Sequence, residues 1–128
     1  LPPVADLSLV LRDGGAILAS LRFWEVQLGS QIVLLLGPLA VQPELRGKGY
    51  GRKIVADGLA RAGAINKWPL VLVSGEPEYY PKFGFEPALP YQLDWPGFIE
   101  PERLQMLELQ AGALASLVPP LCVRAKVE

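Results

Sequence analysis

Apolar positions in this chain alternate, then run together, then return at helical spacing. Leu7–Arg12 alternates and stops at Asp13-Gly14-Gly15, a strong turn signal, so a first strand is predicted there. Ala16–Leu28 alternates loosely, with Ile17, Ala19, Leu21, Phe23 and Glu25 on one side, and ends at Gly29-Ser30-Gln31. Ile32–Val41 is apolar almost throughout, as expected of a central strand buried on both faces. Together these segments predict an antiparallel meander.

Gly37-Pro38 interrupts the third strand. Proline donates nothing to a ladder and belongs at edges and bulges. Two readings stay open. One is a local bulge. The other is that the strand parts from its neighbour, leaving the backbone of Leu39, Ala40 and Val41 free to pair with something else.

After a loop at Gln42–Lys48 the period changes. Val55, Leu59 and Ala62 follow an i, i+4, i+7 spacing, predicting a helix from about Gly49 to Ala64 that Asn66 and Pro69 end. Leu70–Ser74 is a short buried strand. The strand–helix–strand order makes it parallel to the third strand. Glu76–Phe83 reads as one or two helical turns, and Phe85–Trp95 and Leu104–Gln110 as further strands. From Leu117 onward no pattern is readable.

With 128 residues, 51% hydrophobic and 20% charged, the chain has the apolar surface for one core, and 1–128 is expected to be a single domain. It has no His and no Thr, and Cys122 is its one cysteine. Ser-His-Asp and Cys-His catalysis are therefore excluded within this chain, and no metal site is expected. A single cysteine fits a reducing compartment, hence a cytoplasmic protein. The net charge of −1 argues against nucleic acid as a partner. No apolar run approaches the roughly 20 residues of a membrane span. Leu1-Pro2-Pro3 lacks the basic start of a signal peptide.

The helix expected from Gly49 starts against the local rules. No Ser, Thr, Asp or Asn occurs from Gln31 to Ala56, so no standard side-chain N-cap exists. Arg46, Lys48, Arg52 and Lys53 crowd the positive end of the helix dipole, at a cost of ~0.3–1 kcal/mol each. Gly47, Gly49 and Gly51 add backbone entropy, roughly 1 kcal/mol for each inside the helix. The plain reading is a glycine-rich turn with a solvated basic face. A phosphate ligand resolves all three violations together: it accepts the open N–H groups, suits the dipole and neutralises the cations. The loop is not a Walker A sequence, and it follows a meander rather than the parallel strand of a dinucleotide fingerprint.

Arg46-Gly47-Lys48-Gly49-Tyr50-Gly51 resembles the Gln/Arg-x-x-Gly-x-Gly/Ala acyl-CoA signature of the GNAT N-acetyltransferases. Leu36-Gly37-Pro38-Leu39-Ala40-Val41-Gln42-Pro43 is similar to that family's splayed fourth strand, and Tyr79-Tyr80-Pro81-Lys82-Phe83-Gly84-Phe85 to its Tyr-x-x-x-Gly-Phe segment. The tail near Pro101–Leu114 resembles a bacterial subgroup of uncharacterised acetyltransferases.

The resemblance implies an α/β (α+β) GNAT fold with a mixed antiparallel and parallel central sheet and a splayed strand. It implies acetyl-CoA as cosubstrate. Pantetheine would lie beside Leu39, Ala40 and Val41, and the pyrophosphate on Arg46, Gly47, Lys48, Gly49, Tyr50 and Gly51, with Arg52 next in line. The N–H of Leu39 or Val41 would polarise the thioester carbonyl. An amine acceptor, small molecule or peptide, would attack directly, and Tyr80 would protonate the departing thiolate. Tyr79 is the neighbour that competes with Tyr80 for this position. Glu25, Glu76 and Glu78 are candidate bases. The family's opening strand and two helices are missing here, so the chain, which starts at Leu1 rather than Met, reads as N-terminally truncated or completed by another chain. Exposed strand edges allow a homodimer. A non-catalytic acyl-CoA binding or sensing module is the rival reading, and a nucleotide-binding domain of another kind is a second.

Overall fold

A computed structural model describes residues 2–119 and 121–125; Leu1 and Pro120, which belong to segments read above, lie outside the described residues. The meander forms as β1 (Leu9–Asp13), β2 (Ala16–Leu28) and β3 (Gln31–Val41), each antiparallel to the next. Leu7 is not in the first strand. It lies in a 3-10 turn, Ala5–Leu7, and is buried beneath it. The Val4 N–H already donates to the Phe23 carbonyl at 2.8 Å, which fixes this segment against β2.

Helix α1 (Tyr50–Ile65) follows, closed by Asn66 in the left-handed conformation, which asparagine tolerates. Then comes β4 (Leu70–Ser74), parallel to β3 as the crossover requires. The alternation along β4 buries both faces. Val71 and Val73 join the core under α1, whereas Leu70 and Leu72 join a second core on the opposite face. β2 serves both cores in turn. Ala19, Leu21 and Phe23 face α1, and Val26 and Leu28 face the second core. Its buried side therefore changes between Phe23 and Val26, which its loose alternation reflects. The helix sits close on β2: a Cβ on Gly58 would come to 2.8 Å from Phe23 Cε1. A glycine inside a helix costs ~1 kcal/mol; here it permits that approach.

The expected strand Phe85–Trp95 does not form as one element. It is broken into β5 (Glu86–Pro87), a 3-10 turn at Leu89–Tyr91, and β6 (Leu93–Asp94). Pro87 and Pro90 lack the N–H groups a continuous ladder needs. β7 (Leu104–Glu108) forms within the predicted range and pairs antiparallel with β4 and β5. The unreadable tail holds β8 (Leu121–Ala125), which pairs with Val26–Leu28 of β2 and with β6. The sheet runs β5-β7-β4-β3-β2-β8-β6, with β1 also on β2. No helix among the described residues is long and apolar enough to cross a membrane.

Candidate functional site

Both readings of Gly37-Pro38 hold, on opposite edges of the same strand. Toward β2 there is a bulge: Leu21 opposes Leu39 and Phe23 opposes Leu36, so Arg22 alone faces Gly37 and Pro38. The Trp24 indole N–H donates to the Gly37 carbonyl at 2.6 Å and fastens the bulge. Toward β4 the strand splays. Their pairing covers Leu34 with Val71 and Leu35 with Leu72 and goes no further. β4 continues to Ser74 on β7 instead, with Val73 opposite Gln105 and Ser74 opposite Leu104.

The free edge of β3 has a defined polarity. The Gln42 N–H donates to the Leu18 carbonyl, on the β2 side, at 3.0 Å. Strand alternation sends the Ala40 N–H the same way and the Leu39 and Val41 N–H groups the other way, into the splay.

The splay opens on a cleft of about 980 Å³. Leu39, Ala40 and Val41 form one wall, and the loop Leu45–Gly49 with Tyr50, Gly51 and Arg52 forms the end. Glu76 and Tyr79 close the far side. All the residues expected to bind a cofactor thus line one space. Lys53 stands outside it, paired with Asp57 at 3.1 Å.

The loop reaches α1 through Gly47 and Gly49, both at positive φ (84° and 88°), where a side chain would be strained. Gly49 is the N-cap and makes no side-chain capping bond. Three loop amides bond internally, Leu45 to the Gln42 carbonyl at 2.9 Å, Arg46 to that of Pro43 at 3.4 Å and Lys48 to that of Leu45 at 3.3 Å. Among the described residues no acceptor meets the N–H groups of Gly47, Gly49, Tyr50, Gly51 and Arg52; the first intrahelical bond of the turn runs from Lys53 to the Gly49 carbonyl. Arg46, Lys48 and Arg52 are exposed and make no ion pair with a described carboxylate. Open donors, the positive end of the helix and three unpaired cations converge, an arrangement that fits a diphosphate.

The two tyrosines divide between cleft and core. Tyr80 is 8% exposed and belongs to the core under α1, its ring against Phe85 at 5.6 Å. That ring packs over Gly75, immediately after β4, so it stands beside the mouth of the splay. Its hydroxyl makes no hydrogen bond with a described residue. The one buried side-chain polar atom without a partner among the described residues is Gln105 Oε1, so the Tyr80 hydroxyl meets solvent. Burial pushes its pKa up, with Tyr79 adding to the rise and Arg103 opposing it. The Tyr79 ring lines the cleft, stacked edge-on against Tyr80 at 5.1 Å and Phe83 at 5.4 Å. Burial raises its pKa too, with Arg52 opposing.

The candidate carboxylates separate. Glu25 accepts from the Trp68 indole at 2.8 Å and pairs with Lys67 at 3.5 Å, beyond the far end of α1. Glu78 is exposed and does not line the cleft. Glu76 does, with Arg103 at 3.1 Å. Gln105 was not legible as a site residue. It is 2% exposed, and its amide donates to the carbonyls of Gly75 and Glu76 at 3.4 and 3.3 Å. Its one sequence signal is a polar residue between the apolar Leu104 and Met106. A smaller, more open cavity of about 620 Å³ lies at the other end of the sheet, near Gln31, Pro69 and Gln110. Its one cation, Lys67, is already paired. No group of three or more metal-ligating side chains occurs among the described residues.

A family model described as an acetyltransferase (GNAT) domain matches residues 5–87. The uncharacterized N-acetyltransferase YjhQ of Escherichia coli K12 is 33% identical over 86 residues, 64% of this chain and 47% of that protein. The uncharacterized N-acetyltransferase YhbS of the same strain is 33% identical over 89 residues, 66% of this chain and 53% of its own. The chain thus spans about half the length of the curated relatives it matches. The crystal structure of E. coli YhbS in complex with CoA superposes with a TM-score of 0.78 at 26% identity, covering 89% of this chain and 63% of that one. A GNAT family acetyltransferase from Brucella melitensis in complex with acetyl-CoA gives 0.68 at 26% identity, covering 93% and 65%.

Proposed function

The chain belongs to the GNAT acetyltransferase family, and from that premise we propose that it binds acetyl-CoA in the β3–β4 cleft and transfers the acetyl group to a primary amine. The observation that carries this reading is the meeting, in one space, of a strand edge unpaired beyond Leu35 and a helix start whose amides are open.

The residues present fit the cosubstrate. Leu39, Ala40 and Val41 offer a strand edge to an amide-bearing arm, as an added strand would use it. Gly47, Gly49, Tyr50, Gly51 and Arg52 offer N–H donors to a diphosphate, with Arg46, Lys48 and Arg52 as its counter-charges. When bound, acetyl-CoA supplies an acyl group activated as a thioester and leaves as the free thiol. The Leu39 or Val41 N–H, aimed into the splay, stabilises charge developing on a carbonyl oxygen there. Tyr80 holds a proton at its hydroxyl for the departing sulfur; a buried phenol stays protonated at neutral pH. Glu76, on the cleft wall, is placed to relay the amine's proton to solvent. No covalent enzyme intermediate is needed, which suits a chain without histidine.

Thermal-shift titration with CoA, acetyl-CoA, ATP and NAD, followed by an amine panel, tests this. CoA and acetyl-CoA should raise the midpoint and the two nucleotides should not. Gly49→Asp should abolish the CoA shift while far-UV dichroism stays native, and Tyr80→Phe should abolish turnover with any amine accepted by the wild type. An unchanged CoA affinity in Gly49→Asp overturns the site. CoA binding without turnover reduces the protein to an acyl-CoA binding module.

A further inference from the structure

The glycine loop supplies donors from one side of the cleft only. Across from it stands the Tyr79 hydroxyl. A Cβ built on Gly51 would lie 3.3 Å from the Tyr79 hydroxyl oxygen, 3.3 Å from Val41 Cγ2 and 3.9 Å from Leu39 Cδ2. Gly51 therefore sits at a junction where the phenol, the Val41 and Leu39 side chains of β3 and the first turn of α1 meet around one point. Its N–H is one of the open donors.

We propose that the Tyr79 hydroxyl is a donor to the diphosphate of CoA, closing that site from the wall opposite the glycine loop. The inference rests on the acetyl-CoA reading above and goes beyond it, because that reading needs only the loop and the free strand edge.

Three features support it. First, the hydroxyl makes no hydrogen bond with any described residue, although its ring is half-buried and held edge-on by Tyr80 and Phe83. The group is positioned without a partner, so its ordering cost is met before a ligand arrives. Second, Arg52 is the cation whose field Tyr79 feels, which places the phenol at the charged end of the cleft. Third, the neighbouring tyrosine points elsewhere: the Tyr80 ring lies over Gly75, at the end of β4. Adjacent phenols thus point differently: Tyr79 lines the cleft, whereas Tyr80, the proposed acid, lies in the core beside the mouth of the splay. A hydroxyl that stays protonated donates to an anion and cannot repel it.

Calorimetric titration of CoA into wild type, Tyr79→Phe and Tyr80→Phe, with phosphorus NMR of the bound CoA, tests the assignment. Tyr79→Phe keeps the ring and its stacking, so folding should hold. Its CoA dissociation constant should rise by roughly tenfold or more, the usual scale for a hydrogen bond to a charged group. The diphosphate resonances should move relative to wild type while the 3′-phosphate resonance stays. Tyr80→Phe should leave both the affinity and the resonances in place. Equal affinity in Tyr79→Phe, or diphosphate resonances that do not move, overturns the Tyr79 assignment and leaves the acetyl-CoA reading standing. Wild-type protein that fails to bind CoA removes both.

Discussion

The Tyr80 ring fills the space that any side chain on Gly75 would need; a Cβ there would collide with it. The backbone at Gly75 is not in the left-handed region, so the restriction comes from packing alone. Gly75→Ala should therefore act by overpacking, lowering stability by ~1–3 kcal/mol in urea unfolding. The displaced ring carries the proposed acid with it. Acetyl transfer should fall more steeply than CoA affinity, because Gly75 itself does not line the cleft. An alanine variant with native stability and native turnover would mean that the ring has room to move aside freely.

The cationic helix start works against the folded protein until an anion arrives. Arg52 stands in the first turn of α1, where the dipole disfavours positive charge, and no described carboxylate pairs with it. Arg52→Gln should stabilise the protein without ligand by ~0.3–1 kcal/mol and weaken CoA binding. Urea unfolding with and without CoA reads both changes. The wild type should gain more from CoA than the variant does, and the difference should shrink as salt screens the exposed charge.

Gly37-Pro38 shows how far the sequence can be read. A proline within an apolar run signals that a ladder is interrupted, but not on which edge. In the fold the bulge faces β2 and the splay faces β4, so both readings apply. The glycine loop was legible because it breaks capping, dipole and propensity rules together. Those are local properties. Which tyrosine faces the cleft was not legible, since adjacent positions in a short turn differ only in direction, and packing against Gly75 and Phe85 decides it. β8 was hidden for a related reason. Its strand character comes from pairing with Val26–Leu28, about a hundred residues earlier in the chain, and not from any period of its own.

Tyr79 and Tyr80 should make the protein sensitive to alkali. Burial raises both pKa values above the ordinary 10. Well below pH 10 both phenols are neutral, folded or unfolded, and contribute no pH dependence. As pH rises past 10 the unfolded chain releases these protons first, while the folded chain still holds them. Stability is therefore lost progressively from about pH 10 through the folded-state pKa values. Urea midpoints at pH 9 and 11 should separate in the wild type, and the separation should narrow in Tyr80→Phe, whose ring is the more deeply buried.

Gln105 holds the corner from which the far wall of the cleft departs. Its amide bridges the Gly75 and Glu76 carbonyls at 3.4 and 3.3 Å, and carbonyls only accept, so Nε2 must face them and Oε1 must face away. Oε1 is left buried without a protein partner. Gln105→Leu removes that orphan acceptor but leaves the Gly75 carbonyl without a donor among the described residues, while the Glu76 carbonyl keeps the Tyr79 and Tyr80 N–H groups, for a net loss of ~1–3 kcal/mol. Gln105→Glu separates the two effects. A carboxylate would repel both carbonyls, whereas a protonated carboxyl can donate to one of them. Burial raises the folded-state pKa of such a group above its unfolded value, so its stability is present in acid and lost as pH rises. The stability gap between Gln105→Glu and wild type should therefore be small near pH 4 and widen toward pH 8 in urea unfolding. A gap independent of pH would mean that the amide's donation to Gly75 and Glu76 does not hold this corner in place.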